Sequence, residues 1–251
     1  MKLRLDDLVV SRGLADSKSR AQALIRAGKI RSGTRILDKP GAAVAADLPL
    51  ELEAPPRFVS RGGEKLEAAL EAFPFDCTGK LALDVGASTG GFTDCILQRG
   101  AAHVTCVDVG RGQLHSRIAS DPRIANFERL HARALPETVL PHPDYDLVVM
   151  DLSFISLTKV LDAVWPRVRT GGRLIALVKP QFEATKAEAD RGCGVIRDDA
   201  VRERVLNEVL EHASMLPDCV SIGWIQSPLA GGDGNREFLA VWERRPAPHQ
   251  S

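Results

Sequence analysis

The sequence predicts an α/β protein in two parts, a small basic α+β unit ahead of a larger body built on a parallel sheet. Three observations carry this. From Lys80 onward, short apolar runs alternate with helical stretches, the pattern of strands joined by crossover helices and covered on both faces. The net charge is zero, with 33 Lys and Arg against 33 Asp and Glu, yet residues 1–50 hold 10 basic and 5 acidic side chains, so the first fifth is basic and the remainder acidic. Between the two parts, Ala54-Pro55-Pro56 stiffens the chain and marks a boundary. The expected division is 1–54 for the first unit, 55–61 for a linker, 62–245 for the body and 246–251 for a tail.

Composition removes several classes. Apolar residues make up 44% of the chain, ordinary for a packed protein, and no apolar run is long enough to span a membrane. The charged, amphipathic N-terminus is no secretory signal. The 5 cysteines are scattered, with no C-x-x-C pair, which points to a reducing cytoplasm and against a structural metal site or disulfide framework. A basic module before an acidic body suggests a nucleic-acid grip attached to a catalytic unit.

In the first unit, Leu5, Leu8 and Val9 repeat at helical spacing up to Gly13. Ser17 or Ser19 caps a second helix through Ala27, with Ala21, Leu24 and Ile25 inward and Gly28 ending it. Strand-like pieces follow around Ile30, Ile36 and Val44, with a turn at Lys39-Pro40-Gly41. Lys18, Arg20, Arg26, Lys29 and Arg31 lie on or just after the second helix and, with Arg4, are the candidate RNA contacts. Two helices plus a small sheet with this Ser-Lys-Ser-Arg-Ala…Leu-Ile-Arg-Ala-Gly-Lys-Ile pattern resemble the S4-type RNA-binding domain, with a shortened strand and turn at Ile30-Arg31-Ser32-Gly33.

The body opens with Ser60-Arg61-Gly62-Gly63-Glu64-Lys65, then a helix carrying Leu66, Ala69, Leu70 and Phe73 as an apolar stripe. By pattern alone Lys65, beside that stripe, reads as a snorkelling surface residue. Strands centre on Leu83, Val107, Phe127, Val148 and Ile175, the last two strands are Val220–Gln226 and Glu237–Trp242, and Leu157–Val168 and Asp199–Ala213 read as helices.

Leu81 to Phe92 is a strand ending in an acid, a glycine-rich turn and a helix start. Gly86, Gly90 and Gly91 do not match the dinucleotide G-x-G-x-x-G register. Gly86-Ala87-Ser88-Thr89-Gly90 satisfies G-x-S-x-G, so a hydrolase nucleophile elbow stays open, as does a purely structural turn. The third reading is a site for S-adenosylmethionine, which requires a second acid at the next strand end to bind ribose hydroxyls; Asp108 supplies it, 24 residues after Asp84. The candidate cofactor residues are Asp84, Gly86, Ser88, Thr89, Gly90, Asp108, Val109 and Asp151. Asp84, Asp108, Asp151 and Lys179 end four strands on the carboxyl rim, where open α/β sheets bind ligands.

Taken in order, Ser60-Arg61-Gly62-Gly63-Glu64-Lys65-Leu66, Gly86 to Thr93, Asp108-Val109-Gly110-Arg111-Gly112-Gln113-Leu114, Asp151-Leu152-Ser153-Phe154-Ile155-Ser156, Lys179-Pro180-Gln181-Phe182-Glu183 and Gly234-Asn235-Arg236-Glu237 resemble the TlyA (hemolysin A-like) ribosomal RNA methyltransferases. The match covers almost the whole chain. It implies a Rossmann-like class I SAM-dependent methyltransferase domain of FtsJ type behind the S4-type domain. It also implies 2′-O-methylation of a cytidine ribose by a Lys65, Asp151, Lys179 and Glu237 tetrad, with ribosomal RNA or a ribosomal subunit as partner and no metal. Lys179 would act as base toward the 2′-hydroxyl, its proton affinity lowered by burial and by Lys65, while Asp151 and Glu237 fix the approach. The short tail after Trp242 suggests the family's shorter form and a large-subunit target.

Overall fold

A computed structural model describes residues 1–54 and 56–246; Pro55 of the expected linker and residues 247–251 of the expected tail lie outside the described residues. The chain divides into two compact units, Met1–Arg57 and Phe58–Ser251.

In the first unit, β1 (Lys2–Arg4) leads into α1 (Leu5–Ser11) and α2 (Lys18–Arg26), followed by β2 (Ile30–Ser32), β3 (Arg35–Ile36), β4 (Ala43–Ala45) and β5 (Glu51–Leu52). Ser17 caps α2 by accepting from Arg20 N–H at 3.2 Å, and Gly28 after the helix has φ +68°, where a side chain would be strained. Leu5, Val9, Ala21 and Ile25 from the helices close over Ile30 and Leu37. The pairs β1–β4 and β3–β2–β5 form two small sheets. β1 and β5, at three and two residues, carry too little pattern for the sequence to announce.

The second unit begins with α3 (Gly62–Ala72) and continues with β6 (Leu81–Val85), α4 (Gly91–Gln98), β7 (His103–Asp108), α5 (Ser116–Ala119), β8 (Ile124–Glu128) and β9 (Tyr145–Met150). Then come α6 (Leu161–Val164), β10 (Val168–Val178), α7 (Pro180–Glu183), α8 (Lys186–Arg191), α9 (Asp199–Ser214), β11 (Cys219–Gln226) and β12 (Phe238–Arg244). The sheet order is β11-β12-β10-β9-β6-β7-β8. Strands β6 to β10 run parallel, whereas β12 inserts antiparallel between β10 and β11. That insertion departs from the all-parallel reading and brings the start of β12 beside the end of β10.

Period-2 alternation sends successive residues to opposite faces. Leu83, Val85, Val148, Met150, Leu174 and Ala176 pack one face against Leu157, Leu161, Trp165, Leu206 and Val209. Ala82, Val104, Leu147, Val149 and Ile175 pack the other against Leu66, Ala69, Phe92, Cys95 and Ile96 of α3 and α4. The helix expected over Leu157–Val168 is broken into 3₁₀ turns at Leu157–Lys159 and Trp165–Arg167 flanking the one-turn α6. Pro166, which lacks an amide donor, ends it, and Val168 already belongs to β10.

Candidate active site

The glycine turn after β6 is shaped for close backbone approach. Gly86 has φ +89°, and a Cβ there would sit 2.5 Å from the Asp151 carbonyl oxygen. Gly90, also left-handed at φ +92°, precedes α4. The turn borders two cavities that share Gly86, Ser88 and Asp151. The larger, about 530 Å³, is walled by Val85, Val107, Asp108, Val109, Leu130 and Ala132. The smaller, about 90 Å³, is lined by Ser60, Thr89, Gly91 and Phe92.

Asp108 ties the two loops above the sheet: its Oδ2 accepts from Ser88 N–H at 2.8 Å and its Oδ1 from Gly110 N–H at 2.7 Å. It lines the larger cavity with lone pairs to spare for hydroxyl donors. Asp84 is placed otherwise. The alternation that sends Leu83 and Val85 to one face sends Asp84 to the other, under α4, where its Oδ2 accepts from Thr93 N–H (3.0 Å) and Thr93 Oγ1 (2.6 Å). It is fully buried and lines neither cavity. Burial, reinforced by the Asp151 and Asp108 charges, pushes its carboxyl up to about 7 against the opposing Thr93 hydrogen bonds. Its place is beneath the turn, holding the first turn of α4.

Two lysine–acid pairs close the rim. Lys179, just after β10, lies 2.6 Å from Asp151 Oδ1 and donates to Ser153 Oγ at 3.0 Å. Lys65, from the first turn of α3, meets Glu237 Oε2 at 2.5 Å, with the Glu237 side chain only 2% exposed. Val178 pairs with Phe238 across β10 and β12, so Lys179 and Glu237 are the residues just beyond a paired position. Met150 pairs with Ala176 and with Val85, which sets Asp151 and the glycine turn on the same rim. Lys65, which helical pattern alone assigned to the surface, is therefore buried. The Gly62-Gly63 pair has a local cause as well: a Cβ at Gly63 would lie 2.2 Å from the Phe58 ring.

The structure adds residues that sequence reasoning passed over. Phe154 is 91% exposed at the mouth of the larger cavity, at φ +64°, with its ring 5.1 Å from that of Phe182. Asn235 is buried, accepting from Ile196 N–H and donating to the Gly194 carbonyl, and so fixes the segment preceding Glu237. A bulky aromatic between two serines just after a rim acid was the available signal for Phe154.

In the first unit the candidate RNA contacts differ in how free they are. Arg4 chelates Asp6 at 3.0 and 2.8 Å and holds that carboxyl well below the usual range. Lys18 pairs with Asp7 at 2.7 Å, and Glu53 takes Lys29 at 3.3 Å and Arg31 at 3.8 Å. Arg20 and Arg26 are exposed and make no ion pair among the described residues.

Residues 58–244 match the FtsJ-like methyltransferase family model and residues 3–47 the S4 domain model. The 16S/23S rRNA (cytidine-2′-O)-methyltransferase TlyA of Mycobacterium tuberculosis is 44% identical over 246 residues, 97% of this chain and 90% of that one. Hemolysin A of Brachyspira hyodysenteriae is 37% identical over 241 residues, covering 95% and 98%. Among solved structures, one titled "Putative hemolysin from Streptococcus thermophilus" is 35% identical, with a TM-score of 0.71, covering 98% of this chain and 90% of that one. No helix among the described residues is long and apolar enough to cross a membrane.

Proposed function

Because the chain belongs to the TlyA family of FtsJ-like methyltransferases, we propose that it methylates the 2′-hydroxyl of a cytidine in ribosomal RNA of the large subunit. The observation that carries methyl transfer to a ribose hydroxyl is the pair of lysine–acid contacts, Lys179–Asp151 and Lys65–Glu237, on the rim beside the Gly86–Gly91 turn. S-adenosylmethionine is the methyl donor, supplying an electrophilic methyl on a sulfonium that needs little help in leaving. The chain's groups fit that molecule. Asp108 offers acceptors for ribose hydroxyls, and Val107, Leu130 and Ala132 supply apolar walls for a purine. The turn from Gly86 through Ser88, Thr89 and Gly90, bare of Cβ where Asp151 approaches, borders the smaller recess for the amino-acid end. Val109 closes the outer wall of the larger cavity.

A ribose hydroxyl is a weak acid, so methyl transfer needs a base and a fixed line of attack. In this reading the Lys179 amine takes the 2′-proton, and Asp151 and Ser153 hold that amine in place. Glu237 orients Lys65 so that its ammonium steadies the developing alkoxide. Phe154 offers an exposed ring on which the target base can stack. The first unit, 1–54, grips RNA through Arg20 and Arg26 foremost, with Arg4, Lys18, Lys29 and Arg31 joining once their acidic partners are exchanged for phosphate. Such an enzyme works where ribosomal subunits are, in the cytoplasm.

The test is methyl incorporation from tritiated S-adenosylmethionine into each unmodified ribosomal subunit and its naked RNA. Label in a large-subunit cytidine ribose, lost in Lys179→Ala while cofactor binding persists, is the expected result. The name of the M. tuberculosis relative includes 16S RNA, so equal label in both subunits would overturn the restriction to the large one. A Lys179→Ala protein keeping more than about a tenth of the single-turnover rate would remove it as base.

A further inference from the structure

Two rim segments hold more chemistry than the tetrad uses. Asp151 to Ser156 and Lys179 to Glu183 are joined at both ends. At the first end Lys179 contacts Asp151 and Ser153. At the second, Glu183 Oε2 accepts from Ser156 Oγ at 2.5 Å and Oε1 accepts from Leu157 N–H at 2.8 Å. Between these joints sits Phe154 in the left-handed region, a conformation that a residue with a bulky side chain holds only when its surroundings fix it. Phe182, on the same short helix as Glu183, packs against it.

We propose that Glu183 is a positioning residue for methyl transfer, its carboxyl stapling the Ser156–Leu157 backbone to α7 so that Asp151, Phe154 and Lys179 keep one geometry. This rests on the methyl-transfer reading above. Glu183 touches neither tetrad lysine, and its oxygens are occupied by the neighbouring loop, so it acts through the groups it holds. Burial pushes its carboxyl up, against the Ser156 and Leu157 hydrogen bonds, which favour the carboxylate form that accepts them. The Ser156 hydroxyl also lies 2.7 Å from Thr158 Oγ1, so it can reverse its proton. An amide can then replace the carboxyl: its oxygen accepts from Leu157 N–H, and its NH₂ donates to Ser156 Oγ while the serine proton turns to Thr158.

That chemistry gives the test. Glu183→Ala should lower the single-turnover methylation rate by about tenfold or more, as loosened alignment does, with the cofactor Kd within about twofold. Glu183→Gln should keep at least about a third of the wild-type rate. Amide hydrogen exchange at Leu157 should be fast in Glu183→Ala and protected in Glu183→Gln, a readout that needs no catalytic activity. Ser156→Ala, a second and milder variant, should slow methylation and add little when combined with Glu183→Ala. An alanine variant with wild-type rate, a glutamine variant as slow as the alanine one, or unchanged Leu157 exchange in both would each overturn the staple. A wild-type protein that binds cofactor and protects Leu157 but methylates no RNA would overturn the parent reading and leave the staple standing as architecture alone.

Discussion

Replacing Lys65 by Met is the sharpest perturbation of the buried pair. The ammonium lies 2.5 Å from Glu237 Oε2, and the two side chains are 8% and 2% exposed. Methionine keeps the length and the apolar stem but leaves a carboxylate in a dry pocket facing a thioether. Breaking one half of a buried ion pair costs about 3–5 kcal/mol, whereas exchanging both halves for packed apolar groups is close to neutral. Lys65→Met should therefore lose about 3–5 kcal/mol of unfolding free energy, and the double variant Lys65→Met, Glu237→Met should regain most of it. Urea unfolding followed by circular dichroism, extrapolated linearly to water, measures both. Methyl transfer should be absent from single and double variants alike, so recovery of stability without recovery of activity separates the pair's structural role from its chemical one. A double variant no more stable than Lys65→Met would refute the coupled-pair reasoning.

Three further outcomes are expected. Asp108→Ala should weaken S-adenosylmethionine binding by about 1–3 kcal/mol through lost hydrogen bonds, measured by calorimetry; wild-type affinity in a folded variant would remove Asp108 from the ribose site. In the RNA-binding unit, Arg20→Ala and Arg26→Ala should each weaken RNA binding and flatten its salt dependence. Lys18→Ala and Lys29→Ala, already paired to Asp7 and Glu53, should do so less, and an equal effect from all four would show that those pairs do not compete with phosphate. Asp84, raised to about 7 by burial, binds its proton more tightly folded than unfolded, so its contribution to stability falls as pH rises from the ordinary carboxyl range through 7. The stability of wild type relative to Asp84→Asn should accordingly drop between pH 5 and pH 8, and a constant difference would contradict the burial argument.

Much of this was legible because strand ends are marked by a change of polarity. Asp108, Asp151 and Lys179 each follow an apolar run, and the structure sets all three on the carboxyl rim. Asp84 shares that signature yet turns under α4, since it falls one residue before the strand end and so faces the opposite side. Lys65 was readable only through the family resemblance: a lysine beside an apolar stripe looks the same whether its tip reaches water or a carboxylate 172 residues away. The break in the expected Leu157–Val168 helix was written in Pro166, but apolar spacing on both sides masked it. Glu183 and Phe154 stood inside the family segments with no role of their own, because a hydrogen bond between two loops and a positive φ leave no periodic trace.

The insertion of β12 between β10 and β11 makes one late segment responsible for both the sheet and the buried pair. Lys65 stands near the start of the second unit, while Glu237 comes just before β12, the last strand of the sheet in chain order. Until that strand docks, β10 and β11 have no shared neighbour and Lys65 has no counter-charge. A chain cut before Glu237 therefore lacks both the strand that joins β10 to β11 and the carboxylate that faces Lys65, so the sheet and the buried ion pair are completed by one and the same segment.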